Sequence, residues 1–253
     1  MPNVFFEVRG RVPGDFLSFV EEAISGFYNA VETAPEILEV YVFESTWLKR
    51  RFLEDEARDL GVLVVGDYPV SHDAWRGWPR IHLDYEKLKN LQPRIVRALL
   101  AHECTHAILH GSLSSYFIRV EGWTREGLGE GFIESLYLAS TVVKDLEVSE
   151  FLKERGLFDV LADYYSYVRD ELATTDCGGL RGALDFAKLA TPCALIDCDP
   201  SPCSLARGCC VKRCRDLMEV LREVSRLRGD LSVRVTFLLK RIKELVGEER
   251  ECV

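Results

Sequence analysis

Between Gln92 and His110 the apolar positions repeat at helical spacing on two sides of one segment. Ile95, Leu99, His102, His106 and Leu109 share a stripe, with Glu103 and His110 at its edge. Val96, Leu100, Cys104 and Ile108 form a second stripe opposite the first. Pro93 suits the first helical position, and no further proline or glycine intervenes before Gly111. The pattern predicts a helix buried on most of its faces. Upstream, residues 37–45 (ILEVYVFES) read as a strand, Thr46–Leu60 as a helix ended by Gly61, and Val62–Val65 and Pro79–Tyr85 as further strands. Downstream the periodicity turns helical: a segment running to Val143, then 148–154, 157–172, 183–189, 214–227 and 231–246. Strands gathered early and helices late predict an α+β fold.

Inside the buried helix, His102-Glu103-Cys104-Thr105-His106 matches H-E-x-x-H. Residues four apart lie one above the other on a helix, so both imidazoles reach a single ion. The glutamate beside the first histidine points to the rim of that site, where it takes a proton from a water the ion activates. Two imidazoles and a carboxylate are costly in an apolar setting unless paired or coordinated, and a metal supplies the partner. Zinc in a hydrolytic site takes three protein ligands and keeps one position for water. His110 lies two turns, about 12 Å, from His102 on a straight helix, too far to share the ion easily. The metzincin pattern fails, because Leu109 and Ser112 stand where it needs glycine and histidine. Cys104, half a turn from the ligand face, reads as a small buried hydrophobe. His72 and His82 stand at no regular distance from the motif and read as loop and strand residues.

Residues 121–136 read EGWTREGLGEGFIESL. With this segment the chain resembles the gluzincins, zincin-like metallopeptidases whose third zinc ligand is a glutamate in a W-x-x-E-G-[FL]-A-like helix. In that family the glutamate follows the second histidine by about twenty residues. Glu126 stands at that distance from His106, with Trp123 three places before it, and Glu130 repeats the E-G-F pattern one turn later. The resemblance covers roughly residues 37–143. It implies a zincin-like domain, with a short mixed sheet over the active helix and a glutamate helix, followed by a mostly helical, Cys-rich C-terminal part. It further implies one catalytic Zn2+ on His102, His106 and Glu126, with Glu130 as the alternative ligand or as an acceptor for a histidine N–H. Glu103 becomes the general base. Glu134 extends the same face by a further turn. A solvated face of an amphipathic helix is the other reading of these glutamates. The strand at 79–85 would form the upper edge of the cleft, on which an extended peptide adds as one more strand; Pro79 confines it to an edge or a strand start. A tyrosine that stabilises the oxyanion is usual in the family, and Tyr116 and Tyr165 (with Tyr164 and Tyr167) are the candidates, set against plain packing.

The chain has 253 residues and 47% apolar composition, enough for a substantial core. A zincin-like domain over 1–175 and a helical Cys-rich region over 176–253 are expected, packed separately or as one domain. The opening residues lack a basic stretch followed by an apolar core, and no apolar run approaches about eighteen residues. Neither a secretion signal nor a membrane span is expected, and a cytoplasmic location follows. A net charge of −9 opposes a general nucleic-acid role. The short basic run Lys49-Arg50-Arg51 reads as a solvated helix face.

Six of the nine cysteines fall between 193 and 214: Cys193, Cys198, Cys203, Cys209, Cys210 and Cys214. Asp199-Pro200-Ser201-Pro202 and Gly208 mark loops between them, so the segment needs a covalent or metal tie. Three readings stand. Disulfides suit an oxidising compartment or the cytosol of a hyperthermophile. A second, structural metal or an iron–sulfur cluster is the next, although the spacings match neither zinc ribbons nor ferredoxins. Reduced, buried thiols are the third. Cys177 and Cys252 form a further pair or stay free.

These observations point first to a zinc metallohydrolase, a gluzincin-like peptidase acting on peptide or protein substrates. Two alternatives belong to other classes: a non-catalytic zincin-like binding module, and a redox or cluster protein centred on Cys193–Cys214.

Overall fold

The computed structural model describes residues 2–62, 67–120, 122 and 131–247. The chain divides into two compact units, residues 1–116 and 117–253. The expected division at 175 moves upstream because the helices between 132 and 172 share a core with the cysteine-bearing helices that follow them.

The first unit is built on a four-stranded mixed sheet: β1 (Asn3–Arg9), β2 (Ile37–Phe43), β3 (Val70–Asp73) and β4 (Arg80–Asp84). The spatial order is β1-β2-β4-β3, with β1 and β4 parallel to β2 and β3 antiparallel to β4. Helices α1 (Gly14–Val31), α2 (Thr46–Leu60), the single turn α3 (Tyr85–Leu88) and α4 (Pro93–Leu109) complete it. Helix α2 begins at Ser45, whose hydroxyl accepts the Leu48 N–H, and ends at Gly61 in the left-handed conformation, φ 68°. Both ends lie where the sequence predicts. The strand expected at 62–65 falls largely outside the described residues.

The strand at 80–84 is not an edge. It is hydrogen-bonded to β2 on one side and β3 on the other, and all five of its residues are buried. Pro79 stands just before the strand, where its missing N–H costs nothing, and its carbonyl accepts the Glu39 N–H at 3.2 Å. The outermost strand on that side is β3.

Directly paired residues share a sheet face, so the register sorts the side chains. Ile81 and Leu83 of β4 stand with His72 and Val70 of β3 on the face toward α4, beside Leu38, Val40 and Val42 of β2. Against it α1 lays Val20, Ile24, Phe27 and Val31, spaced at helical intervals. The opposite face carries Arg80, His82 and Asp84 of β4 with Asp73 of β3, under α2. There the Arg80 guanidinium, fully buried, bonds Asp73 and Glu56, and the His82 ring stacks near Tyr41. Lys49 departs from the solvated face expected of its basic run: it is 3% exposed, and its ammonium donates to the Tyr68 carbonyl at 2.7 Å.

The second unit is helical: α5 (Phe132–Glu154), α6 (Phe158–Leu172), α7 (Gly179–Leu195), the short α8 (Pro202–Leu205), α9 (Cys209–Arg226) and α10 (Leu231–Gly247). Leu146, Leu184, Phe186, Leu221 and Leu238 meet in its core. Arg234 of α10 ties three helices, reaching Glu147 and Glu150 of α5 and the Val224 carbonyl of α9. Three disulfides add to this: Cys177–Cys210, Cys193–Cys198 and Cys203–Cys214. Of the three readings the cysteine spacing leaves open, disulfides are the one observed, and a sulfur in a disulfide offers no thiolate to a metal or cluster. Cys177 pairs with Cys210 of the dense segment; its alternative partner Cys252 lies outside the described residues. Among the described residues no helix is long and apolar enough to cross a membrane.

Candidate metal centre

Helix α4 starts where Pro93 fixes the first turn, after Gln92 in extended conformation, and closes with the His110 N–H bonded to the His106 carbonyl at 2.7 Å. Ile95, Val96, Leu99 and Leu100 bury its first half, so the motif in its second half is carried on a rigid, packed element. His102 is 3% exposed and His106 8%, while Glu103, between the two faces, keeps partial exposure. The two ligand-competent nitrogens face each other, His102 Nε2 lying 3.1 Å from His106 Nε2. Zinc–nitrogen bonds of about 2.0–2.1 Å in a tetrahedron set neighbouring ligand nitrogens about 3.3–3.4 Å apart. The observed pair needs only a few tenths of an ångström to accept such an ion. The donor set therefore fits zinc as far as these two ligands go.

The other side of the His106 ring is also engaged. Its Nδ1 lies 3.0 Å from Nδ1 of His110, which is 5% exposed. Gly111 allows this arrangement, since a Cβ at that position would strike the Ala107 carbonyl and the Pro79 ring. His72 of β3 lies nearly parallel to His106, ring centroids 5.9 Å apart and planes 11° apart. Neither neighbour was picked out as part of the motif. For His110 the signal was available, because four residues separate it from His106. For His72 there was none, since its position follows from pairing with Ile81.

Glu103 contributes to the field at Lys49. Burial pushes the Lys49 ammonium down to about 8, and the charges of Asp84, Glu103 and Asp67 oppose that shift. Cys104 is fully buried, and burial pushes its thiol up to about 12, which suits a hydrophobe rather than a thiolate ligand. Glu126 and Glu130, the two candidates for the third ligand, lie outside the described residues, as does Trp123. Tyr116 sits on the 3-10 turn Leu113–Tyr116, and its hydroxyl accepts the Ala74 N–H at 2.9 Å, just beyond β3. Tyr165 belongs to α6 of the second unit, where its hydroxyl donates to the Pro200 carbonyl at 2.7 Å. That bond holds the loop between two disulfide-bonded cysteines, Cys198 and Cys203.

Compared with protein-family models, with curated proteins and with solved structures, the chain matches none of them.

Proposed function

We propose that the chain is a zinc-dependent hydrolase, and, following its motif resemblance to the gluzincins, a peptidase. The observation that carries the reading is the 3.1 Å approach of His102 Nε2 to His106 Nε2 on one buried helix, with Glu103 beside them. His102 and His106 would hold the ion, with Glu126, or alternatively Glu130, as the third ligand. When bound, zinc supplies a Lewis acid that brings the pKa of a coordinated water to about 7 and polarises a substrate carbonyl.

The chain's own residues do the rest. The Glu103 carboxylate accepts a proton from the attacking water and passes it to the departing amine. The two imidazoles, buried on one face of α4, turn their Nε2 atoms toward a common point. An extended peptide would align beside β3, the outermost strand next to α4, instead of beside 80–84, which is already paired on both sides. Of the two tyrosine candidates to steady a developing oxyanion, Tyr116 is the one in the same unit as the motif, its hydroxyl accepting the Ala74 N–H just beyond β3.

Metal analysis of the wild type and His106→Ala tests the site: one equivalent of zinc should be present in the first and lost in the second. Hydrolysis of a mixed-peptide library by the wild type and Glu103→Gln tests the chemistry. If Glu103→Gln retains zinc and the wild type cleaves nothing that Glu103→Gln does not, the binding-module reading replaces the enzyme.

A further inference from the structure

We infer that His110 is a positioning residue, whose Nδ1 accepts the Nδ1–H of His106 and so keeps His106 in the tautomer with a bare Nε2. The inference rests on the zinc reading for one step only. The two contacts of His106, at 3.1 Å from its Nε2 and 3.0 Å from its Nδ1, form a chain of three imidazoles. A neutral imidazole carries one proton, so His106 donates through one nitrogen and accepts through the other. The chain therefore has two polarities. In one, His106 Nε2 bears the proton and cannot bind an ion. In the other, Nδ1 bears it, His110 Nδ1 accepts, and Nε2 is available.

Metal-ligating histidines commonly direct their second N–H to a fixed acceptor that sets tautomer and ring orientation. Among the described residues that acceptor is Nδ1 of His110, one helical turn on from His106. Its position is well held. His110 is buried, its backbone N–H is bonded to His106, and Gly111 packs too tightly against Ala107 and Pro79 to admit a side chain. The motif is thereby extended to H-E-x-x-H-x-x-x-H, the third histidine acting on the second rather than on the ion.

Two measurements test this. Nitrogen-15 NMR of the histidine rings in the metal-free wild type should show His106 protonated at Nδ1; protonation at Nε2 would overturn the inference. Zinc affinity, measured by chelator competition, should fall about 10- to 100-fold in His110→Phe, which keeps a ring of similar size but no acceptor. His110→Asn, whose Oδ1 takes the place of Nδ1, should recover affinity to within about threefold of the wild type. Equal zinc affinity in wild type and His110→Phe refutes the role, as does equal loss in both variants when both melt as the wild type does. A wild type that takes up no zinc removes the hydrolase reading, and the ring-nitrogen spectra then decide the role of His110 alone.

Discussion

His82 and Asp73 are buried on adjacent strands, with His82 Nε2 lying 2.6 Å from Asp73 Oδ2. Burial disfavours charge on both, yet their shifts share a sign. Burial pushes the His82 imidazolium below its usual range, against the pull of Asp73. Burial would raise the Asp73 carboxyl, but the His82 hydrogen bond and Arg80 overcome it and hold it at about 2. In both cases the unfolded chain binds more protons, so stability rises with pH. The His82 contribution is complete above about 6.5 and falls away below it; the Asp73 contribution fades between about 4 and about 2. Urea unfolding of the wild type should show declining stability from about pH 6.5 downward, and His82→Gln should flatten the upper part of that decline.

Removing the carboxylate itself should cost much more. Asp73→Asn leaves the fully buried Arg80 with Glu56 as its remaining ion-pair partner of the two, and one partner lost from a buried pair costs about 3–5 kcal/mol. The denaturation midpoint at pH 7 measures it.

Lys49 should behave in the opposite sense to an ordinary surface lysine. Its ammonium is pushed down to about 8 by burial, so the folded state pays for the charge below that pH. Lys49→Met should be stabilising by about 1–3 kcal/mol at pH 6. The advantage should shrink as pH rises from about 8 toward 10.5, because the wild type gains stability there. Parallel melts at pH 6 and pH 9 give the comparison.

Gly111→Ala should destabilise by about 1–3 kcal/mol, because its methyl meets the Ala107 carbonyl and the Pro79 ring. A drop in thermal midpoint together with weaker zinc uptake is the expected result.

The disulfides should differ in weight. Cys177–Cys210 spans 33 residues and Cys193–Cys198 only 5. Loop-closure entropy makes the longer span worth about 1.5–2 kcal/mol more. Urea unfolding of Cys193→Ser/Cys198→Ser and Cys177→Ser/Cys210→Ser double variants should show the larger loss in the second.

Helices α2 and α4 were legible to within a residue or two because their ends are marked, by Gly61 in one and Pro93 in the other. The strand at 80–84 was legible as a strand but not as an inner one. Its neighbour β3 is only Val-Ser-His-Asp, polar and too short to show an alternation, so nothing announced a partner on that side. The burial of Lys49 was hidden for a related reason: two exposed arginines follow it, and only the fold brings the Tyr68 carbonyl to its ammonium. At the site, the approach of His102 to His106 follows from helix geometry, so the sequence carried it whole. The partners of Cys177 and of His72 depend on chain segments brought together over long separations, and spacing holds no record of those.

All five histidines fall in residues 1–116, whereas among the described residues the disulfides Cys177–Cys210, Cys193–Cys198 and Cys203–Cys214 fall in residues 117–253. A reductant should therefore act on one part of the polypeptide. Dithiothreitol should loosen the helical half and leave the sheet-bearing half ordered, whereas a strong chelator should release both the motif helix and the segment that gives the third ligand. Protease cuts that appear under dithiothreitol alone would map beyond residue 116.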